Sequence, residues 1–284
     1  MGSYNAGVDS IGLIAGEGIF PFLVARGARA AGKRVVCLGL SGSVDDALAA
    51  EVDWYRRVSV VRISSWIRAL RRQRVEEAVM VGRVVKTRMY ARFGFLQNIP
   101  DLRTARLWFT RLRHDKRPFA ILSALADTLE AEGIRLIDST TFTRDQLVTA
   151  GVLTRTRPTE AQMMDARHGW ELCRQISRLD IGQSIAIKAK DVIAVEALEG
   201  TNAMIERAGS LCPTGGWTLI KVANARQDMR MDVPTVGVKT IEKLAAAGAR
   251  CVVLEAGKTT FLEKDKVIEL ADRCGIAIVG MESP

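Results

Sequence analysis

The sequence is short of the residues that build disulfide frameworks, zinc sites and membrane spans. It has two histidines and five cysteines in 284 residues. The cysteines, Cys37, Cys173, Cys212, Cys251 and Cys274, are scattered, and none forms a C-x-x-C pair. An odd, dispersed set reads as reduced thiols in a cytosolic protein. So few histidines argue against a zinc centre. No run of about 18 uncharged apolar residues exists, so no helical membrane span is expected. The opening MGSYNAGVDS lacks a basic stretch followed by an apolar one, so no secretory signal is expected.

What is there is a core and an excess of positive charge. Hydrophobic residues make up 48% of the chain, and the net charge is +9. That balance favours an anionic partner: nucleic acid, a phosphorylated metabolite or an acidic membrane surface. The excess gathers in RRQR (71–74) and in the arginine-rich stretch 83–117. Taken alone, a solvated basic face explains such runs slightly better than a binding surface does.

Along the first half, short apolar runs alternate with helical spacing. IGLIAG (11–16), KRVVCLGL (33–40), EAVMVG (77–82) and IRLIDS (134–139) read as strands. PFLVARGARAAG (21–32), with proline at its start and glycine at its end, reads as a helix. So do SSWIRALRRQR (64–74), with a serine cap, and FAILSALADTLEAEG (119–133). The stretch 86–118, basic and carrying Tyr90, Phe93, Phe95, Trp108 and Phe109, reads as helical and amphipathic. Alternation of this kind predicts a parallel sheet flanked by helices.

The segment 142–162, with Gly151 and Pro158, reads as a linker. Beyond it come helices near 159–178, 201–208, 239–247 and 264–273. SIAIKAKDVIAVEAL (184–198) reads as a hairpin, and WTLIKVA, CVVLEA and IAIVG as strands. The expected architecture is therefore two α/β domains. Residues 1–155 form a Rossmann-like parallel sheet with the linker, and 156–284 a mixed sheet carrying the chemistry.

Several motifs invite a chemical reading. GLIAGEG (12–18) places Gly16, Glu17 and Gly18 at a strand-to-helix turn, where amides and a helix N-terminus can meet a phosphate. Pro21 stands where the third glycine of a dinucleotide fingerprint belongs, which disfavours a dehydrogenase. A tight structural turn explains the same residues about as well. EAGKTT (255–260) is no phosphate loop, because Val252 replaces the required first glycine, and Lys258 reads as a surface residue.

QDMRMD (227–232) is the densest cluster. If it is extended, Asp228, Arg230 and Asp232 share one face. Their carboxylates, about 7 Å apart by strand rise, can then share magnesium, and the arginine can answer a phosphate. The competing account is a salt-bridged polar face in which Arg230 neutralises its neighbours. A carboxylate cluster at a strand end in a basic chain, with a glycine turn in the other half, fits metal-assisted phosphoryl chemistry.

Taken together, GLIAGEGIFP, LDIGQSIAI, VIAVEALEGTNAMIERAG and KVANARQDMRMDVPTVG resemble the UDP-2,3-diacylglucosamine pyrophosphatases of lipid A biosynthesis, of the magnesium-dependent type unrelated to calcineurin-like phosphoesterases. The resemblance runs from about residue 11 to the C-terminus. It implies hydrolysis of the substrate diphosphate to UMP and 2,3-diacylglucosamine 1-phosphate (lipid X), with water attacking the β-phosphorus. It implies Mg²⁺, two domains holding the acylated product, peripheral attachment at the cytoplasmic face of the inner membrane, a homodimer, and no nucleic acid.

Residue by residue, Gln227, Asp228, Arg230, Asp232 and Pro234 match the family's Q-D-x-R-x-D-x-P. Glu196, Glu199, Gly200 and Thr201 match E-x-x-E-G-T, followed here by Asn202, and Asp180 and Gln183 match D-x-G-Q. The resemblance implies Asp228 as a metal ligand with Asp232 or Glu199, Gln227 within the reacting site, and Arg230 and Lys221 offsetting charge. The remaining motif residues, with Gly16, Glu17, Gly18, Gly82 and Arg83, would contact substrate. Asn224, Ala225 and Arg226 depart from the Lys-Pro-Gly frequent in relatives, and RHDKRP (113–118) from a Gly-Asp-Asp. The rival from another class is an RNA-binding protein using the basic region 62–117.

Overall fold

The computed structural model describes residues 9–83, 99–115, 118–224, 228–230 and 233–283. The chain divides into two compact units at Thr143/Arg144, and Met229 and Arg230 group with the first. This division lies upstream of the expected 155/156. The reason is local: Gly151–Val152, inside the expected linker, pairs as a strand with the second sheet.

In the first unit, β1 (Ser10–Ala15), β2 (Arg34–Leu40), β3 (Trp54–Val58), β4 (Glu77–Val81) and β5 (Arg135–Leu136) form one sheet in the order β3-β2-β1-β4-β5. Every pairing is parallel. β1 and β2 are buried along almost their whole length, as expected of strands covered on both faces. The order reverses between β1 and β4, so their carboxyl ends form the switch point where open α/β sheets take ligands. The helices are α1 (Phe20–Ala30), α2 (Ile63–Arg72), α3 (Leu102–Thr110) and α4 (Pro118–Glu130).

β3 escapes a reading for apolar runs because Arg56 and Arg57 interrupt it. It is the sheet's edge strand, where exposed charge blunts unwanted pairing. The expected serine cap on α2 is corrected as well. Arg62 holds the cap position without a side-chain bond. Asp101 instead accepts from Ser64 N–H (2.7 Å) and, at the head of α3, from Thr104 N–H (2.8 Å). Burial pushes this carboxyl up, but the bonds from Thr104 and Ser64 outweigh that and hold it below its ordinary value. Of the amphipathic stretch 86–118, α3 lies within the described residues and 86–98 outside them.

The second unit contains β6 (Gly151–Val152), α5 (Glu160–Arg178), β7 (Ser184–Lys188), β8 (Asp191–Val195), α6 (Thr201–Leu211), β9 (Thr218–Lys221), β10 (Thr235–Gly237), α7 (Val238–Ala246), β11 (Cys251–Glu255), β12 (Thr260–Leu262), α8 (Lys264–Arg273) and β13 (Ala277–Met281). Its six-stranded sheet runs β6-β13-β11-β9-β7-β8. β9, β11 and β13 are parallel, and β6, β7 and β8 antiparallel to their neighbours. β10 and β12 form a separate parallel pair. The fold is thus α/β in both units, with a parallel sheet first and a mixed sheet second. Among the described residues, no helix is long and apolar enough to cross a membrane.

Candidate active site

The N-terminal candidates meet at the switch point. The loop after β1 and the loop after β4 touch backbone to backbone. A Cβ on Gly16 would lie 2.7 Å from the Arg83 carbonyl oxygen, and one on Gly82, at φ +90°, 2.8 Å from the Gly16 carbonyl carbon. No larger side chain fits either position. Gly16 N–H donates to Val81 O (2.8 Å), Glu17 N–H to Arg83 O (2.8 Å), and Arg83 N–H to Glu17 O (3.0 Å). Those three amides are therefore already satisfied by carbonyls. Gly18, at φ +110°, faces open space ahead of α1, whose N-terminus has no side-chain cap. Glu17 and Arg83 form an exposed ion pair at 3.8 Å.

The C-terminal candidates converge at the carboxyl end of β9. A Cβ on Gly182 would lie 1.9 Å from the Glu196 carbonyl oxygen, so glycine lets the 180–183 loop lie directly on the end of β8. Ser184 pairs in register with Lys221. Glu196 (6% exposed) accepts from the Ser184 hydroxyl and, at 2.9 Å, from the Thr201 hydroxyl. Lys221 (7% exposed) donates from Nζ to Thr201 Oγ1 at 2.9 Å. A buried carboxylate is tolerated only when hydrogen-bonded and balanced by charge. Two hydroxyls and a nearby ammonium meet both conditions. Glu196 thus holds Thr201 and Lys221 in place. Thr201 opens α6, whose N-cap, Gly200 at φ +82°, supplies no side-chain bond, so the positive end of the helix dipole adjoins the cluster.

Nearby, Asp180 sits in the left-handed region at φ +59° and accepts from Asn224 Nδ2 at 3.3 Å. The Gln183 carbonyl accepts from Val222 N–H at 3.0 Å. Asn202 is exposed. Leu179, Ile181 and Leu198 are exposed apolar side chains in the same two loops as Asp180 and Glu196.

The extended reading of QDMRMD is corrected. Met229 and Arg230 form a turn rather than an extended strand. The Met229 carbonyl accepts from the Ser139 N–H (3.0 Å) and hydroxyl (2.8 Å), which places it against the first unit's own loops. The alternation of faces argued from an extended chain therefore does not apply at these two residues. Asp228 and Arg230 are half-buried and each has an interaction partner. Gln227 and Asp232 lie outside the described residues.

Glu199, implied as a metal ligand, has partners of its own here. Its carboxylate pairs with Arg207 at 2.9 Å and accepts from Ala197 N–H at 3.1 Å. Among the described residues no group of three His, Cys, Asp or Glu is arranged to hold a metal ion. Magnesium asks for less, one or two carboxylates completed by water and phosphate oxygens, and the half-buried Asp228 fits that demand.

Sequence reading missed Glu255, which ends the otherwise apolar β11. It accepts from Ala223 N–H (2.7 Å) and the Ser283 hydroxyl (2.6 Å) and pairs with Lys258 (2.7 Å). Burial raises its carboxyl, but Lys258, Ser283 and the Ala223 amide win and hold it below its usual value. Glu255, with the Ser177 hydroxyl on Ala223 O at 3.2 Å, pins the segment leading from β9 towards Asp228. The signal was available: a carboxylate closing a buried strand. Burial pushes the Cys37, Cys173 and Cys251 thiols up to about 12, and all five cysteines are free.

Comparison with known proteins decides the family. Residues 10–146 match the model of the LpxI N-terminal domain, and residues 149–279 that of the LpxI C-terminal domain. The chain belongs to the LpxI family. A relative from Caulobacter vibrioides, named UDP-2,3-diacylglucosamine pyrophosphatase LpxI, is 29% identical over 282 residues, covering 96% of this chain and 97% of its own. A solved structure from Burkholderia cenocepacia, described as a candidate epimerase, is 14% identical. It covers 97% of this chain and 84% of its own at a TM-score of 0.29, too low to bear on fold or function. Nothing in these likenesses to the LpxI family supports the RNA-binding alternative.

Proposed function

We infer that the chain hydrolyses the diphosphate of UDP-2,3-diacylglucosamine, the activity for which its Caulobacter relative is named. The observation that carries this reading is the buried Ser184–Glu196–Thr201–Lys221 chain at a strand's carboxyl end, in a protein whose two halves both match one family. An ammonium and an uncapped helix N-terminus side by side suit an anion whose charge grows in the transition state. The exposed Leu179, Ile181 and Leu198 suit a substrate that is polar at one end and acylated at the other.

In this reading water attacks the β-phosphorus and yields UMP and lipid X. Lys221 and Arg230 offset charge on the phosphates, and Thr201 orients the Lys221 ammonium. Asp180, Gln183, Gly200 and Asn202 border the sugar phosphate. Gln227 and Asp232 act beside Asp228. Gly16, Glu17, Gly18, Gly82 and Arg83 belong to a nucleotide contact in which Gly18 and the head of α1 supply the donors. Mg²⁺ bound by Asp228 and phosphate oxygens would supply Lewis-acid polarisation and a more acidic water. The substrate is drawn from the cytoplasmic face of the inner membrane, and the working form is a homodimer.

The test is UMP release by the purified chain from UDP-2,3-diacylglucosamine in mixed micelles, with and without Mg²⁺, in ¹⁸O-water. Label in the lipid phosphate is the expected result. Label in UMP would refute the site of attack, and absence of turnover with the divalent ion present would refute the activity. Asp228→Ala at near-native rate would remove Asp228 from the chemistry.

A further inference from the structure

Away from the candidate active site, α2 and α3 of the first unit carry dense positive charge and bare apolar side chains. α2 and α3 border a pocket of about 440 Å³ lined by Ser64, Ile67, Arg68, Arg71, Arg72 and Arg103. α2 turns Ile63, Trp66, Ile67 and Leu70 into the core, which leaves Arg68, Arg71 and Arg72 exposed on its other face. Asp101, by binding both helix heads, fixes Arg103 opposite them. Glu132 is the counter-charge, at 3.0 Å from Arg71 and 2.5 Å from Arg103. Among the described residues Arg68 and Arg72 form no ion pair with a carboxylate.

α3 adds the apolar half. Leu107 packs on the core, so Leu102, Arg106 and Phe109, at i, i+4 and i+7, stand on the opposite face. Leu102 is 92% exposed and Phe109 73%. A soluble phosphate ligand would account for the guanidinium groups but not for these two side chains. A subunit contact would account for the side chains but would bury four guanidinium groups against one carboxylate. An anionic bilayer accounts for both, with phosphates for the arginines and an interfacial layer for the apolar pair.

We propose that α2 and α3 form a docking surface for an anionic lipid bilayer, with Arg68, Arg71, Arg72 and Arg103 taking lipid phosphates and Leu102 and Phe109 entering the interface. The proposal rests on the reading of a membrane-borne substrate and specifies which face meets the membrane. Cosedimentation of the full chain with phosphatidylcholine vesicles, with or without phosphatidylglycerol, tests it. Binding is expected to the anionic vesicles only and to fall with salt. Arg68→Glu with Arg72→Glu should weaken it about 25-fold or more. Leu102→Ser with Phe109→Ser should weaken it while leaving the salt dependence in place.

Hydrolysis of micellar substrate by each variant reports folding and separates the two readings. Native hydrolysis without vesicle binding overturns the docking surface alone. Charge-dependent vesicle binding without hydrolysis overturns the proposed activity alone. Equal binding to neutral vesicles, or binding unchanged in both variants, overturns the proposal. So does displacement by inorganic phosphate at millimolar concentration, which would mark a soluble-anion pocket. Conversion of a dimer to monomer by Leu102→Ser with Phe109→Ser would mark a subunit contact and overturn it too.

Discussion

The loops at the carboxyl ends of the parallel strands β1 and β4 and the cluster where the carboxyl end of β9 meets the start of the antiparallel β7 occupy comparable places, each at one edge of a sheet. They are built from opposite materials. In the first unit backbone meets backbone, and glycine is required because any Cβ on Gly16 or Gly82 would strike a main-chain atom. In the second unit side chains do the joining, through Ser184, Glu196, Thr201 and Lys221. A site of the first kind offers shape and has few donors to spare. A site of the second kind offers a placed charge. On the proposed function, grip falls to the first and chemistry to the second.

The largest expected effect is therefore on the second unit. Lys221→Met keeps most of the side chain's volume and removes its charge. It should lower kcat about 10²- to 10³-fold, the size seen when one preorganised transition-state donor is lost. Stability should also fall, because Glu196 would keep its hydroxyl donors and lose its nearby cation. Steady-state kinetics alongside urea unfolding separate the two. A kcat within a few-fold of native would dissolve the contrast between the units.

Gly16→Ala probes the other side of the comparison. The added methyl would press on Arg83 O and Gly82, so the loops must part or strain, at about 1–3 kcal/mol of stability. The expected signature is a lower unfolding midpoint with KM raised more than kcat is lowered. A fall in kcat like that of Lys221→Met would place chemistry in the glycine turn as well.

How far the sequence reached follows the same division. Features written in backbone periodicity were legible. They include the alternation that becomes β1-α1-β2, the hairpin β7–β8, and glycines at strand ends. Features that depend on distant partners were not. β3 carries its own arginines and becomes a strand only as the edge beside β2. β10 and β12 are three-residue strands that exist because they pair with each other. The cap on α2 comes from Asp101, 37 residues along the chain. The turn at Met229 and Arg230 is set by Ser139, which no local pattern reports. Glu199 pairs with Arg207 on α6, a contact that the motif does not report.

A smaller effect is expected from the apolar rim. Replacing Ile181 and Leu198 by serine leaves the polar cluster untouched and removes exposed surface that only an acylated ligand would cover. KM for the diacyl substrate should rise about tenfold, with kcat nearly unchanged. A UDP-sugar lacking acyl chains should show no difference between variant and native chain. If both substrates respond alike, the rim is not where the chains lie.

The smallest effect, and the one that reads the architecture most directly, is Glu255→Gln. The amide keeps an acceptor for the Ala223 N–H and gives up the charge that faces Lys258. About 1 kcal/mol of stability should be lost at neutral pH. The pH dependence carries the sign. Because Lys258, Ser283 and the Ala223 amide hold the native carboxyl below its usual 4.5, its stabilisation is complete above that value and disappears as pH falls through the lowered one. Native and variant chains should therefore differ at pH 7 and converge in acid, followed by urea unfolding across that range. Since Glu255 acts by holding the segment after β9, kcat should fall modestly at pH 7, and Glu255→Asp should restore part of it. A stability gap that stays constant into acid would mean that the charge of Glu255 plays no part in holding that segment.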